Sequence, residues 1–143
     1  MTVKSLIAVG VDGSEHGERA LDWAINEAKL RGATIKVVTA WHVPAAVYAG
    51  GYAPMVSPSV EEATQKTAEG VASAAAEKSR TAGIDVETEV RKGQAAEALI
   101  QASSAADLLV VGTRGHGGFA GLLLGSVSAQ CAHHSRCPVA TIR

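Results

Sequence analysis

The chain has 143 residues, 47% of them apolar and 19% charged, with a net charge of −1. That composition suits one folded domain with a substantial core and excludes a disordered chain. The absence of a basic block and the scarcity of aromatic residues argue against nucleic acid as a partner. No apolar run has the length of a membrane span, and the N-terminal residues lack a signal-peptide core. Cys131 and Cys137 are too few for a disulfide scaffold, so a cytoplasmic protein that does not enter the membrane is expected.

In chain order, Leu6 to Val11 is a short apolar run of buried-strand type. Ser14 is placed to cap a helix whose apolar positions Leu21, Ala24, Ile25 and Ala28 recur at helical spacing. Lys29 and Arg31 suit that helix's last turn, and Gly32 its left-handed end. Ile35 to Trp41 forms a second strand. Residues 43–58 carry glycine and proline without a period, and are expected to be a long loop. Ser59-Val60-Glu61-Glu62 has capping-box spacing and opens an Ala-rich helix that closes at Gly83, with Gly70 weakening its interior. Val86 to Val90 alternates apolar and polar, as a strand near a sheet edge does. A helix over 95–102, a buried strand over 108–111, a helix over 126–134 and a last strand over 138–142 complete the chain.

Strict strand–helix alternation with nearly continuous apolar strands predicts an α/β fold. Its open parallel sheet has helices on both faces, and ligands lie beyond the strands' carboxyl ends. One such end is unusual. The apolar run Leu108 to Val111 leads into Gly112-Thr113-Arg114-Gly115-His116-Gly117-Gly118, and six glycines fall between 112 and 125, just ahead of the helix at Ser126. Glycines let backbone approach a ligand, successive bare N–H groups form an anion-binding concavity, and a helix N-terminus adds unpaired donors. Strand, glycine loop and helix start together read as a phosphate-binding device. The first strand ends at Gly10-Val11-Asp12-Gly13-Ser14. If strands one and four are neighbours, Asp12 faces the glycines across one crevice.

Known phosphate motifs narrow the choice. Gly125-Ser126 lacks the lysine of a Walker loop. Gly115-His116-Gly117-Gly118-Phe119-Ala120 fits a dinucleotide fingerprint only loosely, after the fourth strand instead of the first. The end of strand two, Thr39-Ala40-Trp41-His42, supplies no carboxylate for a ribose, which counts further against NAD. What remains is the spacing Gly112-x2-Gly115-x9-Gly125-Ser126 together with Asp12.

This pattern resembles the ATP-binding subclass of the universal stress protein family. Ala8 to Ser14, Val110 to Gly115 and Cys137-Pro138-Val139 carry the resemblance at three separate places, so that it covers the whole chain. The resemblance implies one Rossmann-like nucleotide-binding domain over residues 1–143, with strand order 3-2-1-4-5 and commonly a homodimer through the last strand. It implies a ribose near Asp12, at the strand end Gly10-Val11, and an adenine against main chain near Ala40. The phosphates then lie on Gly112, Thr113, Arg114, Gly115, His116, Gly117 and Gly118 and on Gly125, Ser126 and Val127. ATP, with or without magnesium, is the implied cofactor.

Blander roles compete at each position. Asp12 would also serve as a turn residue before Gly13, and Arg114 as a solvated side chain. No carboxylate near His116 in sequence orients it for catalysis, and Trp41 either stacks on adenine or packs under a helix. Cys131-x-His133-His134-x2-Cys137 has the look of a metal cluster, but spans a helix end and a strand start, so no metal site is assigned. With no general base or second carboxylate in view, no residue is assigned a catalytic role. The expected function is a stress-response protein that uses bound adenine nucleotide as a regulatory ligand. Slow ATP hydrolysis, autophosphorylation, or binding of AMP or cyclic AMP are the alternatives.

Overall fold

The protein is described here by a computed structural model comprising residues 4–43, 58–114 and 125–143. Within these residues five strands and four helices alternate: β1 (Leu6–Gly10), α1 (Glu15–Arg31), β2 (Thr34–Trp41), α2 (Pro58–Thr81), β3 (Val86–Lys92), α3 (Ala95–Ser103), β4 (Leu108–Gly112), α4 (Ser126–His134) and β5 (Val139–Ile142). All strand pairs are parallel, in the order β3-β2-β1-β4-β5. The expected fold class and strand order are therefore those observed.

Local chemistry sets the helix ends. Ser14 is the N-cap of α1 in extended conformation, and its hydroxyl accepts from Gly17 N at 3.1 Å. Gly32 ends α1 at φ 66°, a left-handed position that costs glycine nothing. Between these ends, Glu15–Arg19 and Glu27–Arg31 pair one turn apart, each at 2.7 Å. The second helix begins at Pro58, so Ser59 lies inside its first turn and not at a cap in front of it. A missing backbone N–H costs nothing at the start of a helix, which is why proline rather than serine opens it.

Side chains alternate across the sheet and divide the core in two. Ile7, Val9, Val11, Ile35, Val37 and Val110 pack beneath α1 and α2, meeting Leu21, Ala24, Ala72 and Ala75. Ala8, Val38, Leu109 and Val111 pack on the other face, against Ala98, Leu99 and Ala102 of α3 and Cys131 of α4. Alanine on the helices and β-branched residues on the strands let the layers approach closely.

Both edge strands differ in extent from the sequence expectation. The third strand runs on through Arg91 and Lys92, because register with Ala40 and Trp41 of β2 extends the ladder beyond the alternating stretch. The last strand begins at Val139, one residue after Pro138, although Pro138 O still accepts from Leu109 N at 2.9 Å. Most of the expected 43–58 loop lies outside the described residues.

Candidate functional site

The strand order puts β1 between β2 and β4, so the chain turns in opposite directions from β1 and from β4. Side by side at the carboxyl edge, these two strand ends open the crevice where parallel α/β sheets take ligands. Asp12 and Gly112 are thus brought to one place, as the sequence reading required.

On the β1 side, Val11 N donates to Val38 O at 3.1 Å and carries the ladder one residue past the strand. Gly13 then turns the chain at φ 84°. Exposed Asp12 is oriented by its neighbour: its Oδ1 accepts from Ser14 N at 2.9 Å and also from the Ser14 hydroxyl. Ser14 therefore both caps α1 and fixes a carboxylate. Gly10 answers to packing, since a Cβ there would stand 2.9 Å from Leu99 Cδ1 of α3.

On the β4 side, Thr113 N donates to Ile142 O at 2.9 Å, and Gly125 N donates to Thr113 O. Ser128 Oγ donates to Thr113 O at 3.1 Å. A second contact links it to Gly125 O at 3.0 Å. These bonds seat the N-terminus of α4 on the end of β4, so Thr113 and Arg114 meet Gly125, with Ser126 and Val127 next in the chain. Buried Ser128 was not among the residues expected here. Its only sequence signal was helical spacing of three from Cys131, the other inward residue of α4. Gly112 has a second duty: a Cβ there would lie 2.9 Å from His16 O, so glycine lets the first turn of α1 close on β4.

The start of α4 has the chemistry of an anion seat. Its cap, Gly125, makes no side-chain hydrogen bond, and its first turn carries no acidic residue. Helix N-termini of this kind have N–H groups to give and a partial positive charge. Ser126 is exposed beside them.

Ala40 is half-buried near the end of β2, opposite Arg91. At the end of β2, Lys92 Nζ sits 5.6 Å above the Trp41 ring as a cation–π partner, a contact the sequence reading did not anticipate. Two polar atoms near the crevice, His16 Nδ1 and Thr39 Oγ1, are buried without a hydrogen-bond partner among the described residues. Gly115, His116, Gly117 and Gly118 lie outside the described residues. Cys131 points into the core, where burial pushes its thiol up to about 11, while His133 and His134 are exposed. Among the described residues no three His, Cys, Asp or Glu side chains gather closely enough to hold a metal ion. No helix among them is long and apolar enough to cross a membrane.

An open parallel sheet with its switch point between β1 and β4 defines the class: α/β proteins that bind ligands at the carboxyl edge. Residues 6–143 match the model of the universal stress protein family, and the chain belongs to that family. It is 38% identical over 141 residues to a universal stress protein of Mycolicibacterium smegmatis, covering 95% of this chain and 47% of that protein. With a universal stress protein of Thermus aquaticus it shares 36% over 140 residues, 96% of this chain and 97% of the relative. The chain thus spans about half the length of the first and nearly all of the second. Among solved structures, a universal stress protein in complex with cAMP aligns with a TM-score of 0.73 at 26% identity, covering 99% of both chains. Another, from Archaeoglobus fulgidus in complex with dAMP, aligns at 0.67 and 22% identity over 100% of both.

Proposed function

We propose that this chain acts as one nucleotide-binding domain over residues 1–143 that takes an adenine nucleotide, ATP foremost, as the regulatory ligand of a cytoplasmic stress response. The observation that carries this reading is the junction of β4 with α4, where an anion-ready helix start stands across one crevice from Asp12. The ribose hydroxyls donate to the Asp12 carboxylate and the adenine edge lies along main chain near Ala40. The phosphates take N–H groups and the hydroxyl at Gly112 to Arg114 and Gly125 to Val127, together with the glycines of residues 115–118. A related protein solved with cAMP supports the choice of an adenine nucleotide. ATP is preferred over a monophosphate because the sequence spacing of the glycines resembles the ATP-binding subclass. Magnesium is an optional companion of the phosphates, and no residue is assigned a role in hydrolysis.

Ligand released from freshly purified protein, identified by mass spectrometry, should be an adenine nucleotide. In titration calorimetry Asp12→Ala should weaken ATP binding about ten-fold or more, since a lost hydrogen bond to a charged group costs ~1.5–3 kcal/mol. A wild-type protein that shows no heat with ATP, AMP or cyclic AMP at millimolar concentration would overturn the reading.

A further inference from the structure

A cluster at the start of α1 controls where the Asp12 carboxylate points. Asp12 Oδ1 accepts two bonds from Ser14, one from its N–H at 2.9 Å and one from its hydroxyl. The same hydroxyl accepts from Gly17 N at 3.1 Å, so capping the helix and orienting the carboxylate use one group. Gly17 is buried three positions into a helix, where glycine is a poor choice: it is disfavoured relative to alanine on propensity alone. The reason is contact. A Cβ at Gly17 would stand 2.9 Å from Asp12 Oδ1 and 3.4 Å from both Asp12 N and Ser14 Oγ.

We infer that Gly17 and Ser14 are positioning residues that hold the Asp12 carboxylate in its ribose-binding orientation and so determine how strongly the site prefers a ribose bearing its hydroxyls. This deepens the reading of Asp12 as the ribose partner and rests on it. Any side chain at position 17 turns the carboxylate off its Ser14 hydrogen bonds, because the carboxylate is the part able to move. The main chain around Asp12 stays where the β1–β2 ladder puts it.

The test compares ATP with 2′,3′-dideoxy-ATP, which lacks both ribose hydroxyls. Wild type should bind ATP about ten-fold or more tightly than the dideoxy analogue, the scale of losing a charged hydrogen bond. Gly17→Ala should shrink that ratio towards one by weakening ATP and leave the dideoxy affinity unchanged. The double variant with Asp12→Ala should discriminate no less than Asp12→Ala alone, because both changes act on one contact. A merely structural role for Gly17 predicts a lowered melting temperature from the crowded Cβ and an unchanged ratio. Ser14→Gly gives an independent arm: glycine is tolerated at a helix cap, yet the hydroxyl bond to Asp12 is gone, so the ratio should fall there too. An intact ratio in both Gly17→Ala and Ser14→Gly would overturn the inference with the nucleotide site standing. A wild type that binds ATP and the analogue equally, or binds neither, would overturn it together with the ribose role of Asp12.

Discussion

Gly112→Ala isolates the close approach that builds the crevice. The added Cβ would meet His16 O at 2.9 Å and His16 C and Cβ at 3.0 Å each, and the first two of these atoms are main chain. Main chain in the first turn of a capped helix does not swing aside as a side-chain tip does, so β4 and α1 must separate by several tenths of an ångström. Overpacking of this kind costs about 1–3 kcal/mol, and removing a glycine from a strand returns about 0.5–1 kcal/mol. The net loss is then up to about 2.5 kcal/mol, about 1.3 kcal/mol at the midpoints, which is roughly 4 °C in melting temperature for a chain of this size. Gly70→Ala is the matched control: Gly70 is exposed in α2 with nothing within 4 Å of its added Cβ. It should gain about 0.5–1 kcal/mol from helix propensity alone. Urea denaturation of the two variants beside wild type reads both signs, with the slope checking that the unfolded state is unchanged. A Gly112→Ala protein as stable as wild type would show that the α1–β4 contact is not tight, and the packing role of Gly112 would fall.

Two further outcomes follow from the edge strand and the core. We propose a homodimer through residues 138–142, since among the described residues β5 pairs with β4 on one side and with no strand on the other. Val139→Lys should shift the protein to monomer in sedimentation, and a wild type monomeric at tens of micromolar with or without ATP would refute the dimer. Val139 and Ile142 pack against opposite faces of the sheet, so such a pairing buries them on two sides of the seam. For Cys131, burial raises the thiol from 9.0 to about 11, so the folded state keeps its proton where the unfolded state has lost it. Its contribution is complete below pH 9 and is lost as pH rises towards 11, reaching about 2–3 kcal/mol. The stability difference between wild type and Cys131→Ala should change by that amount across pH 8 to 11, and a constant difference would contradict it.

The order of elements was written in the sequence because it depends on local periodicity and punctuation. Apolar runs gave the strands, Ser14 and Gly32 bracketed α1, and the glycine spacing pointed to the end of β4 before any fold was known. The strand neighbours followed only from the family resemblance, since periodicity does not say which strands pair. Lengths and close contacts were decided in three dimensions. Register with β2 carried β3 through Arg91 and Lys92, and it set Lys92 over Trp41, which the sequence had offered to an adenine or a helix. The same holds for several glycines. Gly112 looked like part of a phosphate loop and Gly17 drew no notice within its helix, yet at each a Cβ would meet another backbone or a carboxylate. Ser128, bonded to Thr113 O and Gly125 O, had only its spacing from Cys131 to mark it as inward-facing, and nothing local to mark those partners. Sequence records what each residue prefers along its own segment; it does not record which distant atom will occupy the space beside it, and that is fixed only when the layers pack.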